Sequence, residues 1–276
     1  MNIIDSHQHF WKYNNKDFDW ITDEMSVIRK DFLPDDLHSI LEKDNITGCV
    51  SVHVNQTEEE NIFFLNYAEK FHFIKGIIGW VDMMADDIED KLSHWQQYKK
   101  LKGFRHILQG EKDRSLMLKH FFKKGISLLN KFNFTYDILI YPDQLKYVLE
   151  LAHLFPYQKF VIDHLAKPNI KAGEIHQWKK DLEAFKSCQN VYCKISGMVT
   201  EADWKDHSLQ TFQPYLDVAT NTFGTKRLMF GSDWPVCLAA ASYKDVLQIV
   251  QDYFHSFSLD EQENIFSSNA INFYNL

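Results

Sequence analysis

The sequence predicts an α/β protein, a single (β/α)8 TIM barrel spanning residues 1–276, on two observations. Eight short runs rich in β-branched and aromatic residues recur along the chain, and each is followed by a longer segment with helical apolar spacing. No Gly/Pro-rich linker, low-complexity tract or repeat separates these units. Eight successive βα units favour a closed barrel over an open doubly wound sheet.

The predicted strands are apolar without alternation, as in FIKGIIGWV and KFVIDHL. Such runs are typical of strands that are buried on both faces of a parallel sheet. In chain order, the strands are predicted at residues 2–9, 48–55, 73–81, 102–108, 134–141, 159–164, 190–195 and 226–233.

The intervening segments carry helix signals. Pro142 suits the first turn of the helix after the fifth strand. Thr57 with Glu60, and Ser258 with Glu261, are spaced as capping boxes, which bond the free N–H groups at a helix start. Two helices are expected after the eighth strand.

Composition excludes several classes of protein. A formal net charge of -8 argues against a nucleic-acid partner, since nucleic-acid binding needs clustered Lys and Arg. No GxGxxG or GxxxxGK[ST] motif is present, so a nucleotide-binding Rossmann or P-loop protein is disfavoured. The start MNIIDSHQHF lacks the features of a signal peptide, and no run is apolar enough to span a bilayer. We expect a soluble, cytoplasmic protein without a membrane partner.

The four cysteines are predicted to be reduced residues of the core. They form no CxxC pair, and two of them lie within strand-like runs. They are Cys49, Cys188, Cys193 and Cys237.

Polar residues close several predicted strands, where a barrel of this class carries its reactive groups. His7 and His9 are two residues apart on the first strand, so their imidazoles share a face and can converge on one metal ion. Asp233 closes the eighth strand, which neighbours the first strand in a closed barrel. These three residues form the predicted centre of the active site.

Two adjacent pairs pose a choice, because neighbouring strand residues face opposite sides. We expect His164, rather than Asp163, to point inward as a catalytic residue and metal ligand. An inward Arg105 would bind a carbonyl, carboxylate or hydroxyl, and an inward His106 would donate to a developing oxyanion. The alternative for each is a structural role, such as an ion pair with a helix carboxylate.

Further side chains are candidates for substrate binding. Lys167 and Lys194, near the ends of the sixth and seventh strands, suit a carbonyl or carboxylate, or they extend to solvent at the rim. The long loop after the first strand is rich in aromatic residues that suit a sugar-like ring, or that pack on the barrel top. The remaining candidates are His53, Asn55 and Gln56 after the second strand, Trp11 and Trp20 in the aromatic loop, and Trp234 beside Asp233.

An ordered set of motifs resembles the amidohydrolase superfamily. DSHQHFW, GWVD, GFRH, IDHLAKP, CKISGM and FGSDWPV, in this order and spacing, are similar to the amidohydrolase-2 branch. That branch contains the sugar-acid lactonases of the L-fuconolactonase and L-rhamnonolactonase type. The resemblance extends from Asp5 to the C-terminal region and implies a lactonase that acts on a small-molecule substrate.

The fifth strand departs from the pattern of the binuclear members, which bridge two metals with a Lys on strand four and add a His from strand five. FTYDILIY contains no His. The resemblance therefore implies one divalent ion at most, with its occupancy left open. His7, His9, His164 and Asp233 are the expected ligands, and zinc suits their imidazole and carboxylate groups.

The implied reaction is the opening of an aldonolactone to the free acid. Asp233 would accept a proton from water, and the metal, or Arg105 and His106, would polarise the lactone carbonyl. Two alternatives are a metal-dependent decarboxylase of the same branch and a non-catalytic barrel that binds sugar acids. The sequence identifies neither the sugar nor the oligomeric state, and a homodimer is one of the options.

Overall fold

Eight parallel strands form a barrel, which confirms the predicted fold class. The computed structural model describes residues 2–276, so Met1 of the predicted domain lies outside the described part. The strands pair in sequence order from the first to the eighth. They are β1 (Ile4–Gln8), β2 (Gly48–Val52), β3 (Ile74–Gly79), β4 (Leu101–His106), β5 (Thr135–Ile138), β6 (Phe160–Ile162), β7 (Val191–Ile195) and β8 (Leu228–Phe230).

Helices follow the strands and form the outer layer. They are α1 (Pro34–Lys43), α2 (Glu58–Lys70), α3 (Ile88–Trp95), α4 (His120–Leu129), α5 (Leu145–Leu154), α6 (His176–Glu183), α7 (Leu209–Phe223) and α8 (Tyr243–Phe254). The tail adds α9 (Leu259–Glu263) and α10 (Asn269–Tyr274), joined by a π-helical turn over Asn264–Ser268. Three α-helices, α8, α9 and α10, therefore follow β8, where the sequence predicted two.

The barrel closes between β1 and the segment that follows β8. The Asp233 amide donates to the carbonyl of His7 at 2.8 Å, and the His9 amide donates to the carbonyl of Trp234 at 2.7 Å. Gly231 is required here, because a Cβ at this position would lie 2.7 Å from the Cβ of His7. This closure brings His7 and His9, at the end of β1, next to Asp233, which follows β8.

Two apolar cores support the fold, one between the strands and the helices and one inside the barrel. The inner core packs against α10, whose Phe273 and Tyr274 close the end of the barrel opposite the site. All four cysteines are buried and free, as predicted. None of the helices within residues 2–276 combines the length and apolar character needed to cross a membrane.

One of the two predicted capping boxes is formed. Ser258 and Glu261 bond each other's backbone N–H groups at the start of α9. Thr57 precedes α2 but makes no side-chain cap bond, so that prediction was wrong. The Glu60 carboxylate instead accepts the amides of Val54 and Asn55, each at 2.8 Å.

Candidate active site

Three imidazoles surround the Asp233 carboxylate at the carboxyl end of the barrel. The Oδ1 atom of Asp233 lies 3.2 Å from Nε2 of His9, 3.8 Å from Nε2 of His7 and 3.8 Å from Nε2 of His164. Asp233 itself has a left-handed backbone, with φ of 59°. The structure therefore brings together the four residues that the sequence proposed as metal ligands.

Each of these imidazoles uses its other nitrogen to contact a fixed group, which orients the ring. His9 Nδ1 lies 2.7 Å from the carbonyl oxygen of Val52, and His164 Nδ1 lies 2.8 Å from Oγ of Ser196. His7 Nδ1 faces a buried carboxylate and a buried ammonium. All three rings thus present Nε2 toward Asp233.

Asp163 and His164 both face the site, which corrects the expectation that only one of them would do so. Alternation applies within a strand, but β6 ends at Ile162. The next residues form a short turn in which His164–Lys167 all have left-handed backbones, with φ between 52° and 59°. Left-handed residues other than Gly, Asn and Asp are unfavourable, so this run is typical of a functional constraint.

Arg105 points into the barrel and His106 points away from it. The Arg105 guanidinium donates to Asp163 Oδ2 at 3.1 Å and to the carbonyl of His53, and its Nη1 lies 3.4 Å from His7 Nε2. His106 Nε2 lies 2.8 Å from Glu111 Oε1, and its ring packs edge-on against Phe122 of α4. The expected oxyanion role of His106 is therefore corrected: it makes the outward pair that the sequence left as its alternative.

A cluster of buried charges lies beneath His7. Lys194 is fully buried, and its Nζ lies 2.5 Å from Asp137 Oδ2, 3.1 Å from Asp163 Oδ1 and 3.1 Å from His7 Nδ1. Asp163 Oδ1 also lies 3.3 Å from His7 Nδ1. Lys194 is enclosed by these groups, so it neither extends to solvent nor reaches the cavity as the sequence allowed.

The predicted substrate-binding aromatics belong mostly to the core. Trp11 is 1% exposed, and its indole N–H donates to the carbonyl of Lys30 at 2.8 Å. Trp234 is equally buried and packs against Phe10 and Phe32. Their assignment to substrate binding is therefore corrected, because both rings are packed in the core and neither lines the cavity. Trp20, which is 39% exposed, lines the cavity instead.

His53 and Gln56 support the site from behind. His53 is fully buried, and its Nε2 accepts from Arg105 Nε at 3.4 Å, while its Nδ1 lies 2.9 Å from the carbonyl of Asn55. Gln56 Oε1 accepts the amide of Ile107 at 2.8 Å. His53 therefore positions Arg105, and Gln56 positions the backbone of Ile107. Neither side chain lines the cavity, which corrects their predicted role in substrate binding.

A cavity of about 300 Å³ opens beside Asp233. Lys167, one of the predicted substrate-binding residues, lines this cavity, and its Nζ lies 3.6 Å from Glu201 Oε1. Sequence reasoning missed the apolar wall, although each of its members follows a strand end. The lining residues are His9, Trp20, Val54, Arg105, Ile107, Gln109, Gly110, Leu139, His164, Lys167, Asp233 and Val236.

The buried groups have shifted protonation equilibria. Burial raises the pKa of Asp233, but His164, His9 and His7 outweigh burial and lower the pKa below its usual range. Burial lowers the pKa of His164 to about 4 and that of His7 well below its usual range. Near neutral pH the site therefore contains an ionised Asp233 beside neutral His7 and His164, and this is the protonation state in which these groups bind metals.

The donor set fits one divalent cation. His7, His164 and Asp233 each offer one ligand atom, and these atoms lie within 4.8 Å of one another. His9 lies outside this set and contacts Asp233 instead, so the expected four-ligand set is reduced to three. Two imidazoles and one carboxylate match the ligand chemistry of catalytic zinc sites, which leave a further position open.

Comparisons with known proteins agree with this architecture. The amidohydrolase family model matches residues 4–276. An L-fucono-1,5-lactonase of Burkholderia multivorans is 35% identical, with 99% of this chain and 96% of the relative covered. An L-fucono-1,5-lactonase of Burkholderia ambifaria is 30% identical, with 99% and 95% covered. A crystal structure of an amidohydrolase from Burkholderia multivorans with bound zinc has a TM-score of 0.95 at 35% identity, over 100% of both chains. The chain therefore belongs to the amidohydrolase family.

Proposed function

We propose that this protein hydrolyses a sugar-acid lactone, an aldonolactone, to the free acid. The observation that carries the proposal is the ionised Asp233 carboxylate in the wall of an open cavity, with the Arg105 guanidinium lining the same cavity. The full-length similarity to two L-fucono-1,5-lactonases supports the choice of a cyclic ester as the substrate.

Asp233 acts as the general base. It accepts a proton from the water that attacks the lactone carbonyl, a role that contributes roughly 10²- to 10⁴-fold in rate. Arg105 donates to the carbonyl oxygen as negative charge develops there. His9, 3.2 Å from Asp233, lines the cavity and relays the proton that Asp233 has accepted from water to the ring oxygen, which leaves as an alcohol when its bond to the carbonyl carbon breaks.

The cavity walls match a sugar-like ring. The indole of Trp20 offers a flat face to the C–H groups of the ring, and the apolar side chains of Ile107, Leu139 and Val236 exclude water. Lys167 supplies a positive charge at the same wall, where it binds a hydroxyl or the carboxylate of the product.

His7, His164 and Asp233 are the residues that would hold a zinc ion. When bound, zinc supplies Lewis-acid polarisation and a water of lowered pKa. Asp163, through its contact with Nδ1 of His7, and Ser196, through Nδ1 of His164, are the groups that orient these ligands.

The proposal is tested with a pH-indicator assay of purified protein of known metal content. The panel contains L-fucono-, L-rhamnono-, L-galactono- and D-arabinono-lactones, with buffer blanks for spontaneous opening. Acid release well above the blank supports lactone hydrolysis and ranks the sugars. The proposal is overturned if folded protein, with and without added zinc, releases no acid above the blank from any lactone of the panel. Carbon dioxide release from unsaturated or aromatic acids would then assign a decarboxylase.

A further inference from the structure

The loop after β4, Ile107–Gly110, is held in place at most of its backbone groups. It forms part of the cavity wall, and residues outside the loop make most of its hydrogen bonds. Ile107 N donates to Gln56 Oε1 at 2.8 Å, Leu108 O accepts from Gln144 Nε2 at 2.9 Å, and Gln109 N donates to Leu139 O at 2.9 Å. A wall held in this way keeps its shape when a ligand binds.

Arg114 completes the attachment of this loop. Its Nη1 donates to the carbonyl of Gln109 at 2.8 Å. The other side of its guanidinium forms a two-point pair with Asp143, at 2.8 and 2.7 Å. Such a bidentate pair fixes the orientation of the guanidinium as well as its position. The backbone of Gln109 is therefore immobilised on both of its polar groups.

The side chain of Gln109, in contrast, has an unused acceptor. It lines the cavity with Arg105 and Asp233, yet its amide oxygen has no hydrogen-bond partner within residues 2–276 and is shielded from solvent. Leaving an acceptor buried without a donor is unfavourable. A ligand group that donates to this amide, after rotation about the terminal side-chain torsion, removes that cost.

The chemistry of the substrate limits what this donor can be. The carbonyl and ring oxygens of a lactone only accept hydrogen bonds, so neither satisfies the Gln109 oxygen. A hydroxyl substituent on the ring does. We propose that Gln109 is a specificity-determining residue that recognises a ring hydroxyl and so selects polyhydroxylated lactones over unsubstituted ones. This inference rests on the proposed function.

The test compares two six-membered lactones, L-fucono-1,5-lactone and δ-valerolactone, which share the ring but differ in its hydroxyl and methyl substituents. We expect Gln109→Met to lower kcat/KM for the hydroxylated lactone by about 10- to 100-fold, and to leave δ-valerolactone within about twofold. Gln109→Glu keeps an acceptor, so the ratio of the two kcat/KM values should stay near that of the parent protein. Gln97→Met, at an exposed glutamine remote from the cavity, makes the same chemical change and should alter neither rate.

The outcomes separate the inference from the function on which it rests. If the parent protein opens both lactones and Gln109→Met lowers both equally or neither, the inference is wrong while the function stands. If the parent protein opens none of the aldonolactones of the panel, the proposed function fails and the inference fails with it. If Gln109→Met and the parent protein have the same thermal unfolding midpoint, a selective loss of kcat/KM for the hydroxylated lactone arises in the site and not from unfolding.

Discussion

The three imidazoles around Asp233 differ in the group that holds their second nitrogen. His9 contacts a backbone carbonyl, His164 contacts the hydroxyl of Ser196, and His7 contacts a carboxylate and an ammonium. Gly197 makes the position of His164 possible, because a Cβ at residue 197 would lie 2.7 Å from Nδ1 of His164. These supports fix the ring orientations before any ligand binds.

We predict that His164→Asn weakens zinc binding by at least about tenfold, because it removes one of three converging ligand atoms. Asparagine tolerates the left-handed backbone at this position, so the protein should fold. Zinc retained after equilibrium dialysis, measured by elemental analysis, reports the effect. His176→Asn, at an exposed histidine, is the matched control. Equal zinc retention by the two variants would exclude His164 as a ligand.

At the scale of single residues, position on a strand predicted correctly that the His7 and His9 side chains enter the site. It did not predict the directions of side chains that lie beyond the strand ends. His7 and His9 face the same way because the period of two holds within β1. Asp163 and His164 escape the rule because their turn is left-handed. Trp20 lines the cavity, whereas Trp11 is buried in the core. Which of the two lines the cavity depends on how the loop folds back on the barrel, and sequence spacing does not encode that path.

At the scale of elements, α2 supports the site through Glu60. This carboxylate binds two consecutive amides of the loop after β2, next to His53 and therefore next to Arg105. Burial raises the pKa of Glu60 to about 7, although those amides oppose the shift. A carboxyl with a higher pKa in the folded state contributes stability that is complete at acidic pH and is lost as the pH rises.

We predict that Glu60→Gln removes this dependence on pH. The free energy of unfolding of the parent protein, relative to the variant, should fall by about 3 kcal/mol as the pH rises from 4.5 to 7. Urea unfolding at a series of pH values in this window measures the difference. A constant difference across the window would show that Glu60 titrates at its ordinary pKa in the folded protein.

The elements themselves were predictable, but their ends were not. All eight strands were placed correctly, since continuous apolar runs are typical of buried parallel strands. Seven of the eight predicted strands extended too far toward their carboxyl ends, as at 226–233 against the observed Leu228–Phe230. The polar residues that close each run belong to the loops, where the site requires side chains to converge from several directions.

At the scale of the whole molecule, a network of buried charges connects the site to the opposite end of the barrel. Tyr274, on α10, donates its hydroxyl to Asp137 Oδ2 at 2.8 Å, and Asp137 pairs with Lys194 beneath His7. Burial raises the pKa of Asp137 to about 6, against the effect of Lys194. The network joins β1, β5, β7 and α10, so it couples the position of His7 to the closure of the barrel.

We predict that Lys194→Met lowers the free energy of unfolding by roughly 3–5 kcal/mol, because it leaves the Asp137 carboxylate buried without its cation. Adding Asp137→Asn to this variant should recover part of the loss. Lys205→Met, at an exposed lysine, should change stability by no more than about 0.5 kcal/mol. Urea unfolding of the four proteins provides the comparison, and equal stability of Lys194→Met and Lys205→Met would contradict a structural role for the network.

We propose that Asp233 activates water for the opening of a lactone, and Asp233→Asn tests this role most directly. Asparagine adopts the left-handed backbone of Asp233 and keeps its size, so the fold should be retained. On the aldonolactone that the parent protein opens fastest, we predict a fall in kcat of roughly 10²- to 10⁴-fold with an unchanged thermal unfolding midpoint. Full turnover by the folded variant would contradict the account.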